Sequence, residues 1–330
     1  MKKNKWLKIT GFSLLGVCLA LWCIAFYWSL EPDNLDVRKL TEKESESLNV
    51  PIVTGSYTTA TLIAVIETML EKPGGFISND IMVPGVLMDN MPNWEYGVLI
   101  QSRDMLRAMR DYMSRSQSQS KEDPNLREAE SRLNIDHTAW AMPDAQDQYR
   151  ESVSNLRTYM ARLGEPSARD AQFYARADNL SFWLSLVESR LGNLSQRLTA
   201  SVGRKQLNTA LSLDPDAKQS TPTHVEDYVK TPWVKVDDVF YESRGSTWAL
   251  IQLMKAIQID FKDVLAKKNA HVSFAQIIRE LEATQQTVMA PWVMNGTGFG
   301  LLANYSLVMA SYISRANAAV IDLRDLLQRG

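Results

Sequence analysis

Between residues 173 and 198 the apolar side chains return at alternating intervals of four and three: Phe173, Ala177, Leu180, Leu184, Val187, Leu191, Leu194 and Leu198. Only an α-helix gathers that spacing on one face, and a seam of more than three heptads has to be covered by other helices along its length. Ser167, with Asp170 three residues on, supplies a capping-box start. The predicted helix is therefore about 45–50 Å long. A second seam runs from Val236 through Phe240, Thr247, Leu250, Met254, Ile257 and Phe261 to Val264, passing straight over Gly245. A third occupies residues 299–328, at Leu302, Tyr305, Met309, Tyr312, Ala316, Ala319, Leu323 and Leu326. Strand patterning is nearly absent, with "WVKV" at 233–236 the one short alternating run. The predicted class is all-α, an elongated bundle of long antiparallel helices.

Shorter segments fill the intervals. Helical spacing covers residues 56–72 and stops at "KPGG", and the Pro- and Gly-rich stretch 73–93 reads as a loop. A helix is predicted over 94–115, followed by "SQSQSKEDPN", which has linker composition. Another spans 144–163 and is closed by Gly164 and Pro166. Residues 201–235 read as a long connection, and Ser273 with Gln276 marks a further helix start before Pro291.

Residues 9–30, "ITGFSLLGVCLALWCIAFYWSL", carry no charge over 22 positions. As a helix they span roughly 33 Å, enough for a hydrocarbon core. Trp6 stands at one end, Tyr27 and Trp28 at the other, where aromatic rings favour the membrane interface. Four lysines precede the span, and Glu31, Asp33 and Asp36 follow it. The positive-inside rule then puts residues 1–8 in the cytoplasm and the body outside, in the periplasm. No small-residue cleavage site follows the apolar run, and Val17 and Trp22 precede the two cysteines where a lipobox needs small residues. The expectation is a retained anchor at 9–30, a tether at 31–55 and a helical domain at 56–330.

Charge and cysteine content exclude several classes. The four basic residues of the first thirty positions leave 32 to face 38 acids, a net of −6 for the body. A mildly acidic body without a basic run is a poor nucleic-acid partner. Both cysteines, Cys18 and Cys23, lie in the apolar span, so the body has neither disulfides nor cysteine-based metal sites. His137, His224 and His271 have no metal-ligand spacing; "HVEDY" at 224–228 holds one histidine and two carboxylates without a second histidine. "NGTGFG" at 295–300 lacks the preceding strand of a phosphate loop. No cofactor and no metal are expected.

Two kinds of candidate remain. Trp140, Trp233 and Trp292 fall in or beside predicted loops near prolines and form a candidate interaction surface, the bland reading being that they close the ends of the core. The second is Glu242 in "FYESRGSTWALIQ", faintly like the single catalytic acid of lytic transglycosylases. Such an acid needs an apolar pocket that keeps it protonated. The seam through Phe240, Ser243 and Thr247 instead places Glu242 inside a continuing helix, with Arg244 two residues away. Glu188, flanking its seam, reads as a surface ion-pair residue.

Residues 179, 181, 189 and 190 match 304, 306, 314 and 315 at a constant offset of 125, which makes 94–200 and 237–328 candidate halves of an internal duplication. The stretches "SLEPDN", "TTATLI", "NMPNWEYGVL", "SRSQSQS", "FYARADNL", "TPWVKVDDVFYESRG", "IIRELEAT" and "LVMASYISRANAAVIDLRDLL" together resemble an uncharacterised family of Gram-negative inner-membrane proteins, domain of unknown function 2333. The resemblance implies a bacterial envelope protein with one N-terminal anchor and brings no activity with it. The expected function is a non-enzymatic interaction or scaffold role towards an envelope or membrane protein; the alternative is a peptidoglycan-active enzyme using Glu242.

Overall fold

The computed structural model describes residues 2–115, 121–165, 171–207, 226–287, 293 and 305–329. Eleven α-helices lie among them: α1 (Lys2–Trp28), α2 (Val37–Leu48), α3 (Ser56–Glu71), α4 (Asn90–Ala108), α5 (Pro124–Leu133), α6 (Ala145–Gly164), α7 (Ala177–Thr199), α8 (Val236–Asp260), α9 (Lys262–Lys267), α10 (His271–Ala283) and α11 (Tyr305–Gln328). Two four-residue strands, β1 (Arg204–Leu207) and β2 (Glu226–Val229), pair antiparallel at the base of the connection before α8. The class is all-α, as the seams require. "WVKV" is not a strand: Trp233–Lys235 is one 3-10 turn leading into α8.

The first two seams bury largely as predicted; in the third, Tyr305, Met309, Ala316 and Leu323 are buried, Tyr312, Ala319 and Leu326 are half-buried beside the core residues Ile313, Val320 and Leu327, and Leu302 lies outside the described residues. Leu180, Leu184, Val187, Leu191, Leu194 and Leu198 of α7 lie in the same apolar core as Met309, Ile313, Ala316, Val320 and Leu323 of α11. The two helices run antiparallel. Ser195 reaches the Ala310 carbonyl, Glu188 pairs with Arg324 at 2.5 Å, and Gln328 donates to Ser181. Helices of the two candidate halves are thus packing partners, α7 against α11 and α4 against α8.

Four expectations need correction. The long helix starts at Ala177, ten residues after Ser167; positions 166–170 lie outside the described residues. The segment before it is held open by long-range contacts: Tyr174 N–H donates to the Met113 carbonyl, and the Phe173 ring meets Phe261 edge-on. α10 starts at His271, and Gln276 donates to Glu280 instead of capping the helix. After the linker-like stretch, Asp123 caps an unanticipated helix, α5, with Pro124 in its first turn. The tether is the fourth, and it matters most. Residues 31–55 contain α2, capped by Asp36 and laid against α3, so they are part of the body.

The loop between α3 and α4 is held by a buried ion pair. Lys72 Nζ lies 2.5 Å from Glu95 Oε1, with both side chains fully buried. Lys72 also donates to the Gly75 carbonyl, while Glu95 accepts from the Ile77 and Ser78 amides at 2.8 Å. Burial pushes the Glu95 carboxyl up, and Lys72 and these donors oppose it. Lys72 and Glu95, from the end of α3 and the second turn of α4, thereby hold Gly75, Ile77 and Ser78 in place.

Candidate functional site

Glu242 sits on α8 one turn before Ser246, in a continuous helix. Its carboxylate is clamped by Arg197 of α7, with Nη1 to Oε1 at 2.6 Å and Nη2 to Oε2 at 2.7 Å. That bidentate hydrogen bond raises the Arg197 pKa above its ordinary value, against the opposing effect of burial. Both oxygens of Glu242 are thus engaged by one guanidinium, an ion-paired setting unlike the apolar pocket that a general acid needs. A cavity of about 250 Å³ beside it is bounded by Tyr96, Gly97, Ile100, Arg190 and Asn193. Arg190 is itself held by Asp104 at 2.6 Å, so a second cation of this cavity is already paired.

A tighter feature joins the apolar N-terminal helix to the body. Thr10–Trp28 is long and apolar enough to cross a membrane, and none of that stretch is buried in the body. Directly after it the chain is stitched to α8. The Arg244 side chain, almost wholly buried, binds Glu31 with Nε to Oε1 at 2.7 Å and a second contact from Nη2. Its remaining Nη1 donates to the carbonyls of Thr284 and Gln286. Trp248 Nε1 donates to the Asp33 carbonyl, and Gln252 bridges Asn34 and the Leu35 amide. Glu31, Asp33, Asn34, Arg244 and Trp248 border a cavity of about 340 Å³ together with Tyr241 and Gln285. Sequence reasoning missed Arg244, Trp248 and Gln252, whose partners lie more than 200 positions away and leave no local spacing to detect.

The end of α1 also touches the loop after α3. The Trp28 ring occupies the place a Gly74 side chain would fill, and Gly74 has φ +88°, so this approach needs glycine. Beyond it the loop turns Ile81, Met82, Val83, Val86 and Leu87 outward, with Leu87 78% exposed. Fully burying each such side chain is worth about 1.5–3 kcal/mol, so leaving five together in water is costly for a free surface. The same loop holds two of the predicted tryptophans close. Asn79 donates to the Ala139 carbonyl and to Asp144, tying down the turn that carries Trp140 (61% exposed) and Met142 (98% exposed). Asp89, at the loop's end, lies within electrostatic reach of Lys235 and Asp237, beside Trp233 (74% exposed) and Val234. Burial, reinforced by repulsion from Asp89 and Asp238, raises the Asp237 pKa. Trp292, His224 and "NGTGFG" lie outside the described residues.

The two described histidines do not form a common site. His271 opens α10, whereas His137 stacks on Tyr96 with ring centroids 4.8 Å apart. Among the described residues no group of three His, Cys, Asp or Glu side chains could hold a metal ion. Burial lowers the His137 pKa from its ordinary 6.5, with Asp136 opposing and Arg103 reinforcing the shift. A depressed histidine stabilises the fold above its unfolded pKa and ceases to do so as pH falls through the folded value. The midpoint of denaturant unfolding should therefore decline as pH drops below about 6.5, and His137→Phe should flatten that part of the profile. An identical slope in the variant would mean the titration belongs to another group.

A family model described as "Uncharacterized protein conserved in bacteria (DUF2333)" matches residues 1–330. No curated protein and no solved structure matches the chain.

Proposed function

Since the chain belongs to this bacterial family along its whole length, we propose that it is a single-pass inner-membrane protein whose periplasmic helical body acts as an interaction or scaffold protein of the envelope. The observation that carries the reading is the joint between anchor and body. A body on a flexible leash could search a volume; one stitched through Glu31, Asp33 and Asn34 to Arg244, Trp248 and Gln252 is held in one orientation directly at the end of the anchor. Fixed orientation suits a platform on which another membrane or envelope protein assembles. The four lysines before the span and the acids after it support the N-in orientation.

In this reading the Arg197–Glu242 clamp is structural, joining α7 to α8, and peptidoglycan cleavage is not its task. Two experiments bear on the proposal. A reporter active only outside the cytoplasm, fused after Gly330, should be active while the protein stays in the membrane at full length; a shortened soluble product would overturn the anchored reading. Purified full chain incubated with sacculi should release no anhydro-muropeptides. Glu242→Gln should cost about 1 kcal/mol or less of stability, the range for a partly exposed pair. Release of muropeptides by the wild type and its loss in Glu242→Gln would establish the enzyme instead.

A further inference from the structure

We infer that the loop of residues 80–88, with the turns carrying Trp140 and Trp233, is a membrane-docking apron that rests its apolar side chains in the bilayer leaflet the anchor leaves. The inference deepens the proposed function and rests on its anchored reading. The occupant follows from continuity. Trp28 closes the apolar span and lies against Gly74, so this loop leaves the body at the point where the chain leaves the membrane. Ile81, Met82, Val83, Val86 and Leu87 then face away from the core, each more than half exposed among the described residues.

The chemistry of the patch matches an interface. Two tryptophans flank an aliphatic loop, and tryptophan is the side chain that settles at headgroup level. Lys230 and Lys235 bracket Trp233 and Val234; the Lys235 ammonium is held by Asp238 at 2.8 Å, and the exposed Lys230 can lay its long stem along lipid and raise its charge to phosphate. Of the loop's acids, Asp80 is half-buried in the space beside Gly85, while Asp89 stays exposed at the start of α4, where it accepts from the Asn90 amide and marks the water-facing edge of the patch.

The test uses the full chain in vesicles of phosphatidylethanolamine and phosphatidylglycerol. Cys18→Ser and Cys23→Ser clear the background, and Met82→Cys, Leu87→Cys or Val234→Cys then carries an environment-sensitive fluorophore. A chain retaining Cys23 reports the anchor. Val272→Cys is the wet control, because it lies at the far end of α10 from Thr284, the helix end that Arg244 ties to Glu31, about 18 Å away. Labels at 82, 87 and 234 should be quenched several-fold more by a doxyl lipid than by aqueous iodide, and the label at 272 the reverse. If Cys23 is quenched by lipid while 82, 87 and 234 are quenched by iodide, the apron is wrong and the anchor stands. If Cys23 itself escapes the lipid quencher, both readings fall. Shielding of 82 and 87 from both quenchers would mean a contact between copies of the chain, which also overturns docking on lipid.

Discussion

Lys72→Met should destabilise the full chain by about 3–5 kcal/mol, the cost of leaving a buried charge without its partner. Lys72 and Glu95 are both completely excluded from water, and no solvent can replace the missing ammonium. Glu95 would keep its bonds from the Ile77 and Ser78 amides, which cannot neutralise it. Adding Glu95→Gln should recover much of the loss, since a neutral amide still accepts from one of those donors and carries no charge to desolvate. The pH dependence has a definite sign. Without Lys72, burial holds the folded pKa of Glu95 above its ordinary 4.5. The folded state then gains a proton before the unfolded state does, and its disadvantage shrinks as pH falls towards that value. Denaturant titrations of the detergent-solubilised chain at neutral and acidic pH would read the effect. A Lys72→Met midpoint equal to wild type at both would show that the pair is not sealed from water. Because the pair fixes residues 75–78, the same substitution should also loosen the loop carrying Met82 and Leu87.

Gly245→Val should cost about 3 kcal/mol or more, the upper range for forcing atoms into a filled interior. α4 and α8 cross with their backbones in contact. A Cβ on Gly245 would stand 2.9 Å from Trp94 Cα, and one on Gly97 would stand 2.6 Å from the Ser246 nitrogen. Both obstacles are main chain, so no side-chain rotation relieves them and the helices have to separate. Separation would part the Trp94 and Trp248 rings, 5.2 Å apart, and the Gln101–Ser246 hydrogen bond at 2.9 Å. Gly245→Ala is the sharper measurement. In a helix free of neighbours it stabilises by up to about 1 kcal/mol through propensity. Here the clash reverses the sign, and a raised melting temperature in Gly245→Ala would refute the close crossing.

The helical class and the buried faces were legible because amphipathic periodicity is a local property. A seam such as Leu180, Leu184, Val187 and Leu191 declares its buried side whatever covers it. The place of Glu242 inside a helix was legible for the same reason, whereas its burial and its pairing with Arg197 were not. Helix starts were less legible. Ser167 and Ser273 carry sound capping patterns, but α7 and α10 begin elsewhere. A cap is worth only about 1 kcal/mol, and contacts such as Phe173 on Phe261 outweigh it.

Residues 31–55 show most clearly where local reading ends. Their polar, proline-punctuated composition describes a tether, and composition alone contains nothing to contradict that. Glu31 becomes part of the body only because Arg244, 213 positions later, is turned towards it with its other donors already satisfied. The apron has the same origin. Trp140 and Trp233 stood out singly, but the approach of the Trp140 turn to the loop depends on Asn79, a residue with no distinguishing pattern of its own. By itself the sequence determined an apolar span, an acidic body and a set of helix faces, because each follows from spacing and transfer free energy along a few turns of chain. Only the tertiary structure decided which polar groups meet across the core and which apolar ones remain uncovered beside the anchor, because pairing over hundreds of residues is settled by packing.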